Sequence, residues 1–471
     1  MFDFLAVGSR AVVKTSLLML ALAVSSAHAQ NATRAQLAQR IDSLATAAIR
    51  NGPVAGLSVA VVKGRDTIVM KGYGYADLEN DIPATASTVY RIGSITKQFT
   101  SAAVMQLVEQ GKIGLDDDIT KYFPGFQTRG QHILVRHLLN HTSGIPSYTD
   151  IASFGRVITL ELPQDSLLAL VQKDSLMFAP GSGFYYNNTG YYMLGMLIEK
   201  VTGQSYATYM TQHLFQPLGL RSTYYCSTEP LIKHRAQGYA VQKGALVNAS
   251  YINMNLPFGA GSLCSTVGDM VRWEGLLFSG KVVSASSLTQ MTTPAKLTSS
   301  RPMPYGFGLA PDTVGGHRVI EHGGGINGFI SQEEYYPQDS LTVVVLANTA
   351  PAPSSQVARN AARMVLGLPL VTGPVVPAEI ALDSTQRARY VGTYALQMPD
   401  ASRVPARVVD ENGHLVIEMR GQRTQLMAVA PNVFAVRGQP EARVLFTVDN
   451  GRATEFLLDR GMRPLAATRV Q

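Results

Sequence analysis

The sequence predicts an α+β domain followed by a small all-β domain, and three observations lead to this fold class. Residues 57–62 and 68–73 are apolar, β-rich segments that flank a short polar turn, which predicts an antiparallel hairpin. Residues 317–346 contain three more such segments between turn residues, which predicts an antiparallel meander. Helical patterns lie between the two regions, so we predict one mixed domain whose sheet joins both ends of this part of the chain. Short alternating segments after residue 385 predict the second domain.

The first 29 residues have the pattern of an export signal. Arg10 and Lys14 precede a short apolar run at 17–24, and Ala27-His28-Ala29 forms an A-x-A cleavage site. We therefore expect a signal peptide at 1–29 and a secreted, periplasmic protein. The alternative is an uncleaved anchor, although the apolar run is too short to span a bilayer.

Helical patterns follow in order along the first domain. A capping box at 33–36 precedes one apolar stripe, and a second helix begins at Ser94 and stops at Gly111. Two more helices are predicted at 191–201 and 270–278. The helix after Ser94 has almost no polar face, so we expect it inside the core of the domain.

Ser94 and Lys97 form an S-x-x-K motif at the start of that helix. Three residues are about one helical turn, so the Lys97 ammonium is expected on the same face as the Ser94 hydroxyl. A desolvated lysine with a lowered pKa is one known way to turn a serine hydroxyl into a nucleophile. The alternative is a helix that Ser94 caps, with Lys97 on its surface.

Residues 184–190, Phe-Tyr-Tyr-Asn-Asn-Thr-Gly, lie directly before a predicted helix. A tyrosine hydroxyl facing Lys97 would carry a proton between nucleophile and leaving group. An amide two residues further on would hold Lys97 or a substrate carbonyl. The alternative is that these tyrosine and asparagine residues only form a turn.

His322, Gly323, Gly324 and Gly325 enter a predicted strand. Consecutive glycines at a strand edge allow a ligand to approach the backbone closely, and an N–H there would join the Ser94 N–H as an oxyanion hole. The edge also offers main-chain pairing to an extended substrate, and His322 would supply a proton or a hydrogen bond to the substrate end. The alternatives are a tight turn for the glycines, a satisfied structural group for His322, or the HGGG oxyanion loop of α/β-hydrolase lipases. The sequence has no G-x-S-x-G nucleophile elbow to support the lipase interpretation.

Other features exclude several classes of site. His137 and His141 are spaced i, i+4, yet no H-E-x-x-H or paired C-x-x-C accompanies them, so we expect no metal site and interpret both histidines as structural. The two cysteines, Cys226 and Cys264, favour a disulfide in an oxidising compartment over two separate buried thiols. The net charge is +7, but the lysines and arginines are scattered, so nucleic acid is not an expected partner.

Five motifs now occur in order along the chain and resemble one known family. They are S-I-T-K at 94–97, L-L-N-H-T-S-G-I-P at 138–146, F-Y-Y-N-N-T-G-Y at 184–191, G-S-L-C-S-T-V-G-D-M at 261–270 and H-G-G at 322–324. This order resembles the penicillin-recognising serine hydrolases, in the branch that contains class C β-lactamases, D-alanyl-D-alanine carboxypeptidases, D-aminopeptidases and related esterases. The resemblance covers roughly residues 33–366.

The resemblance implies a β-lactamase-like αβ sandwich, in which a helical lobe packs on an antiparallel sheet and the active site lies between them. It implies that Ser94 is acylated and that Lys97 is its base partner. The Y-x-N motif of the family then falls on Tyr186 and Asn188, with Tyr185 and Asn187 as the shifted alternative.

The third motif of the family, K-T-G in the lactamases, falls on His322, Gly323 and Gly324, and Gly325 takes the position whose N–H completes the oxyanion hole. The histidine departs from the lactamase pattern. A lysine is permanently cationic, whereas a histidine is charged only in part near neutral pH. We therefore expect a peptidase or esterase rather than a strong β-lactamase.

The remaining segments give the domain boundaries. We predict the hydrolase domain at 30–368, a linker rich in proline and glycine at 369–384, and an antiparallel barrel or sandwich at 385–471. Its predicted strands are 390–394, 406–409, 415–419, 425–429, 433–436, 444–448 and 454–458. This domain resembles the lipocalin-like domain often appended to the family. We expect it to pack against the first domain or to shape substrate access, with a ligand-binding barrel as the alternative.

The function that follows is an exported serine hydrolase that forms a Ser94 acyl-enzyme on a D-amino-acid-containing peptide, amide or ester. The alternatives are a class C-like β-lactamase, or a penicillin-binding sensor that stays acylated. We expect no cofactor and no stable membrane span. The expected substrate is a small molecule or a peptide, and cell-wall peptides are among the candidates. The acyl group, its stereochemistry and the oligomeric state depend on loops and surfaces that these motifs do not define.

Overall fold

A computed structural model describes residues 34–151, 153–298, 302–371, 379–398, 402–430, 432–459 and 465–470. The predicted signal peptide at 1–29 lies outside the described residues, as does part of the predicted linker. Within the described ranges, no helix has both the length and the apolar character needed to cross a membrane.

Among the described residues up to 371, the first part of the chain contains fifteen strands and all the helices named below except α13. The strands are β1 (Gly56–Lys63), β2 (Asp66–Asp77), β3 (Ile82–Pro83), β4 (Tyr90–Arg91), β5 (Tyr224–Tyr225), β6 (Tyr239–Gln242), β7 (Ala245–Asn248), β8 (Leu263–Ser265), β9 (Ala295–Lys296), β10 (Pro302–Met303), β11 (Ala310–Val314), β12 (His317–Ile326), β13 (Phe329–Tyr336), β14 (Leu341–Ala347) and β15 (Thr349–Ala350). The helices are α1 (34–50), α2 (Thr96–Glu109), α3 (Val135–Leu139), α4 (Phe154–Val157), α5 (Gln164–Val171), α6 (Asn188–Thr202), α7 (Tyr206–Met210), α8 (Gln216–Leu218), α9 (Phe258–Gly261), α10 (Val267–Phe278), α11 (Ala285–Met291), α12 (Ser354–Val365) and α13 (Ser384–Ala388).

The central sheet has seven strands in the order β11-β12-β13-β14-β1-β2-β3. The predicted hairpin is β1 with β2, the predicted meander is β12 to β14, and β1 pairs antiparallel with β14 from Leu57↔Ala347 to Lys63↔Leu341. The prediction that one sheet joins both ends of this region is therefore confirmed.

Both faces of the sheet are covered by helices, which makes an αβ sandwich. In β1, Val59 and Val61 belong to one hydrophobic core with α1 and α12, whereas Ala60 belongs to the core of the helical lobe on the other face. Successive side chains of a strand point to opposite faces, so a strand that is buried on both sides is apolar throughout. This explains why 57–62 lacks the alternation of a half-exposed strand.

The α2 helix lies inside the helical lobe, as its apolar pattern predicts. Phe99 and Trp273 stack with ring centroids 3.9 Å apart, and neither side chain is exposed. The helix ends at Glu109 with Gln110 as its C-cap, and Gly111 follows in the left-handed region with φ +69°. Its start differs from the prediction, because Ser94 lies in a short 3-10 turn (Gly93–Ile95) and the α-helix begins two residues later.

Strands β4, β5 and β8 form a small sheet that supports this turn. In β8, Cys264 pairs with Arg91 of β4 and with Tyr224 of β5, and Cys226 directly follows β5. A disulfide joins Cys226 and Cys264, whose Cα atoms are 5.5 Å apart. The cross-link ties β5 to the strand that pairs with the segment leading to Ser94.

The last part of the chain is a closed antiparallel barrel of eight strands. They are β16 (Gly392–Gln397), β17 (Arg403–Glu411), β18 (His414–Met419), β19 (Gln422–Ala430), β20 (Val433–Val436), β21 (Gln439–Asp449), β22 (Arg452–Asp459) and β23 (Leu465–Arg469). The sequence patterns predicted the first seven and missed β23, which closes the barrel on β16. Aromatic rings fill its interior, with Phe446 5.5 Å from Phe456 and 5.4 Å from Phe434, which argues against the ligand-binding barrel.

Candidate active site

The S-x-x-K turn lies directly against strand β12. Gly93 has φ +51°, and a Cβ atom built there would be 2.9 Å from the Gly325 nitrogen. A Cβ atom on Gly324 would be 2.0 Å from the Ile92 carbonyl oxygen, and the Ser331 hydroxyl donates to that same oxygen at 2.8 Å. Glycine is required at both positions because any side chain would push the turn and the strand apart.

Lys97 is fully buried, and its ammonium contacts three oxygen acceptors. Nζ lies 3.0 Å from Ser94 Oγ, 2.9 Å from Asn188 Oδ1 and 2.8 Å from the Ala260 carbonyl oxygen. A buried ammonium needs such partners because leaving a charged donor unpaired in the interior is costly. The structure therefore places Lys97 beside the Ser94 hydroxyl, and Ser94 itself remains half-buried at the surface of the cleft.

The Y-x-N segment brings Tyr186 and Asn188 to Lys97. The Lys97 Nζ lies 4.8 Å from the centroid of the buried Tyr186 ring. Tyr185 and Asn187, the shifted alternative, point elsewhere. The Tyr185 hydroxyl donates to Asp150 at 2.9 Å, and the Asn187 side chain caps α6 by accepting from the Gly190 N–H at 2.8 Å.

The segment 138–146 supports the start of α6. Its His141 adopts φ +62°, is 1% exposed, and accepts a hydrogen bond from the Asn187 N–H at Nδ1, at 3.2 Å. The His141 ring also lies 4.3 Å from the Tyr186 ring. His137 Nδ1 likewise accepts from the Leu134 N–H at 3.2 Å. Both histidines thus hold main chain, in agreement with the structural interpretation.

His322 is buried and bonded to protein groups at both ring nitrogens. Nδ1 lies 2.6 Å from the Gly323 carbonyl oxygen, which can only accept, so Nδ1 carries the proton. Nε2 then accepts from the Tyr305 hydroxyl at 2.8 Å. Burial, and next the positive charge of Lys97, lower the His322 pKa to about 3.

The role expected for His322 therefore has to be corrected in part. The sequence suggested a partly charged imidazole that donates to the substrate end, but the ring is neutral near pH 7 and its two nitrogens face Gly323 and Tyr305. The physical reason is desolvation, because a fully buried imidazole beside an ammonium loses its proton.

Tyr305 is a residue of the site that the sequence analysis missed. Its ring lies 4.6 Å from His141 and 5.9 Å from Tyr186, and its hydroxyl orients His322. Burial raises the pKa of Tyr305, so its hydroxyl stays protonated and donates. No motif marks this tyrosine, since it reaches the site from a loop between β10 and β11.

Ala260 was missed for a different reason, because it acts through its carbonyl oxygen. Side-chain motifs cannot identify a backbone acceptor. The short helix α9 presents this oxygen to Lys97 from the residue directly before the G-S-L-C motif.

One edge of β12 is open toward the cleft. Its pairing with β11 ends at Glu321, whereas its pairing with β13 continues through Ile326↔Phe329. Gly325 lies on this stretch and is exposed. The 3-10 turn that carries Ser94 lies against the same residue, since a Cβ atom on Gly93 would be 2.9 Å from the Gly325 nitrogen.

A buried carboxyl pair lies behind α2. Gln98, next to Lys97, donates to Glu333 at 2.5 Å and accepts from the Trp273 indole N–H at 2.7 Å. Burial is the largest cause that raises the pKa of both Glu274 and Glu333, that of Glu333 to about 7. At least one proton is therefore held between the two carboxyls near neutral pH.

Comparisons with known proteins agree with this geometry. A family model described as Beta-lactamase matches residues 38–367. The chain belongs to the β-lactamase family. Penicillin-binding proteins and a D-amino acid amidase are among its relatives, in agreement with a serine hydrolase of this family.

Three relatives of this β-lactamase-family protein are informative. Penicillin-binding protein 4* of Bacillus subtilis (strain 168) is 29% identical over 422 residues, which cover 85% of this chain and 92% of that one. The octameric penicillin-binding protein homologue from Pyrococcus abyssi has a TM-score of 0.63 at 26% identity and covers 91% and 99% of the two chains. The D-amino acid amidase from Ochrobactrum anthropi SV3, complexed with L-phenylalanine amide, has a TM-score of 0.61 at 27% identity and covers 70% and 96%.

Proposed function

We propose that this protein hydrolyses a D-amino-acid-containing amide, ester or peptide through an acyl-enzyme on Ser94. The observation that carries the proposal is the position of Lys97, whose buried Nζ lies 3.0 Å from Ser94 Oγ. The relationship to a D-amino acid amidase supports the substrate class. Export to the periplasm is part of the proposal and rests on the signal pattern at 1–29.

Acylation begins with proton transfer from Ser94 to Lys97. In the reactive state Lys97 is neutral and accepts the hydroxyl proton as Ser94 Oγ attacks the substrate carbonyl. The ammonium that results is the form that Asn188 Oδ1 and the Ala260 oxygen stabilise by accepting from it. The proton then passes by way of Tyr186 to the leaving group, and water later releases the acid.

The oxyanion of the tetrahedral intermediate is held by the main-chain N–H groups of Ser94 and Gly325. Gly93 and Gly324 allow the turn that carries Ser94 to approach β12 closely, which supports this assignment. Fixed donors at this position stabilise charge that develops only during the reaction, which is usually the largest contribution to such catalysis.

Among the proposed substrates, the neutral His322 favours amides and esters, and it disfavours β-lactams and peptides that present a C-terminal carboxylate at this position. A β-lactam or a peptide C-terminus presents a carboxylate, for which a cationic side chain is the usual partner. The imidazole at this position is uncharged and bonded to Tyr305 and Gly323. An amide or ester does not require a cation there.

A penicillin-binding function is the second candidate. The relationship to penicillin-binding protein 4*, which extends over 85% of this chain, favours it. In this case Ser94 would form the same acyl bond with a penicillin, but deacylation would be slow.

Hydrolysis of matched amides tests the proposal. D- and L-phenylalanine amide and a chromogenic cephalosporin are given to the mature protein and to Ser94→Ala, and product formation is followed by chromatography. We expect release of D-phenylalanine by the wild type and none by Ser94→Ala. Rapid cephalosporin turnover without amide hydrolysis would instead indicate a β-lactamase, and equal hydrolysis by both variants would exclude a Ser94 mechanism.

A further inference from the structure

A cavity of about 1000 Å³ lies between the hydrolase domain and the outer wall of the barrel. On the hydrolase side it is lined by the loop 177–185 and by Leu297 and Met303. On the other side it is lined by residues of β16, β21, β22 and β23. The cavity is thus made by two parts of the chain that are far apart in sequence, since Met303 on one side and Ala395 on the other are 92 residues apart.

The outer wall of the barrel is apolar where it faces this cavity. In β22, Phe456 and Leu458 point into the barrel core, so Leu457 between them points outward. Leu457 is nevertheless only 7% exposed, because it packs in one hydrophobic cluster with Phe184, Tyr186 and Tyr305. A side chain of the barrel is therefore part of the same cluster as the tyrosine that contacts Lys97.

The cavity lies next to the segment that carries Tyr186. Phe184 and Tyr185 line it, and Tyr186 is the next residue along the chain. The group that receives the proton through Tyr186 must leave on the side of that hydroxyl. Tyr186 shares a hydrophobic cluster with the cavity-lining Leu457, and its ring lies 4.8 Å from Lys97 Nζ, so the wall of the barrel reaches the residue that is assigned to carry this proton.

We propose that the outer wall of the barrel completes a subsite for the leaving group, and that this subsite takes an apolar or aromatic amine, alcohol or peptide residue. The proposal rests on the acyl-enzyme function given above. The chemistry of the walls supports it, since Leu457, Leu445 and Met303 offer apolar surface, while Thr447 and Thr468 offer hydroxyls for the polar end of a peptide group. No new covalent step is involved, because the leaving group takes one proton and departs as a neutral amine or alcohol.

Esters that share one acyl group test the proposal. D-alanine methyl ester and D-alanine 3-phenylpropyl ester give the same acyl-enzyme, so a difference in kcat/KM between them reports only on the leaving group. We expect the phenylpropyl ester to be preferred by about tenfold, the effect of burying one aromatic group. Ala466→Trp fills the cavity from β23, where Ala466 is exposed and pairs with Leu457. This variant should abolish the preference and keep methyl ester turnover within about twofold.

Val416→Trp is the matched control. Val416 also lies on the outer face of the barrel, between the buried Leu415 and Ile417, but it is not among the residues that line the cavity. It should keep the tenfold preference. Thr468→Phe, a smaller filling from the same strand, should reduce the preference in part and provides a second variant if Ala466→Trp misfolds.

The outcomes separate the inference from the proposed function. Equal kcat/KM for the two esters in the wild type, or an unchanged preference in Ala466→Trp with normal melting, would overturn the subsite. A loss of discrimination between D-phenylalanine and D-alanine methyl esters in Ala466→Trp would place the cavity on the acyl side and also overturn it. Absence of methyl ester turnover in the wild type would reject the proposed function, and this inference with it.

Discussion

Replacing Asn188 by alanine should slow acylation while leaving the fold largely intact. The change removes one of the three oxygen acceptors of the buried Lys97 ammonium, at 2.9 Å. A hydrogen bond to a charged group contributes about 1.5–3 kcal/mol, and the loss falls on the state in which Lys97 holds the serine proton. This corresponds to a roughly 10- to 150-fold slower acylation rate constant.

The assay is single-turnover acylation, with the enzyme in excess over a chromogenic ester and release of the leaving group followed by stopped flow. Asn187→Ala is the matched control, because the neighbouring amide caps α6 and donates to the Ile145 carbonyl oxygen at 2.5 Å. Its loss should lower the free energy of unfolding by about 1–2 kcal/mol and change acylation of the folded protein far less. Wild-type acylation in Asn188→Ala, or a larger rate loss in Asn187→Ala, would refute the assignment of Asn188 to Lys97.

Three further predictions concern stability and protonation. Glu333 has a pKa raised to about 7, so the folded state binds more protons than the unfolded state between about pH 4.5 and pH 7. The free energy of unfolding should therefore fall by roughly 3 kcal/mol as the pH rises across this range. Urea unfolding at several pH values should show this slope and Glu333→Gln should flatten it; an unchanged slope would contradict the assignment. Gly324→Ala should destabilise the protein by about 3 kcal/mol or more, because its Cβ would meet the Ile92 carbonyl at 2.0 Å, whereas Gly325→Ala has only a contact at 3.6 Å and should melt near the wild type. Equal melting temperatures for the two alanine variants would show that the turn can move. His322 should stay neutral from pH 5 to 8, since its pKa is lowered to about 3; a histidine NMR titration near pH 6.5 that disappears in His322→Gln would contradict this.

Much of the site could be predicted because its residues occur in short motifs. Ser94 and Lys97 are one helical turn apart, so their spacing alone indicates that the side chains meet. The register between Tyr186 and Asn188 and the shifted pair could not be decided from spacing. The folded structure distinguishes the two pairs. The Asn187 side chain caps α6, and the Asn188 side chain accepts a hydrogen bond from Lys97.

The fold was predictable where apolar patterns are long. The run at 57–62 and the segments at 317–346 predicted strands of one sheet, and the structure pairs β1 with β14. The start of α2 was misplaced by two residues because the 3-10 turn continues the helical spacing of Ser94. Strand β23 was missed because Leu465–Arg469 is short and lacks the β-branched alternation of the other strands.

Contacts between distant parts of the chain account for the rest. Tyr305 and His141 approach Tyr186 from two separate loops, and Leu457 reaches the same cluster from the barrel. No local pattern marks such residues, since only the tertiary fold brings them together. The neutral state of His322 has the same origin, because its pKa depends on burial and on the charge of Lys97 rather than on its motif.

The most direct test of the central claim is to locate the acyl group. The mature protein is mixed with a D-phenylalanine ester, quenched with acid within milliseconds, and analysed by intact mass and peptide mapping, with Ser94→Ala and Lys97→Ala alongside. We expect one acyl adduct on the peptide that contains Ser94, none in Ser94→Ala, and a strongly slowed adduct in Lys97→Ala. Product formation by the wild type with no adduct on Ser94, or an adduct that persists in Ser94→Ala, would contradict the acyl-enzyme mechanism.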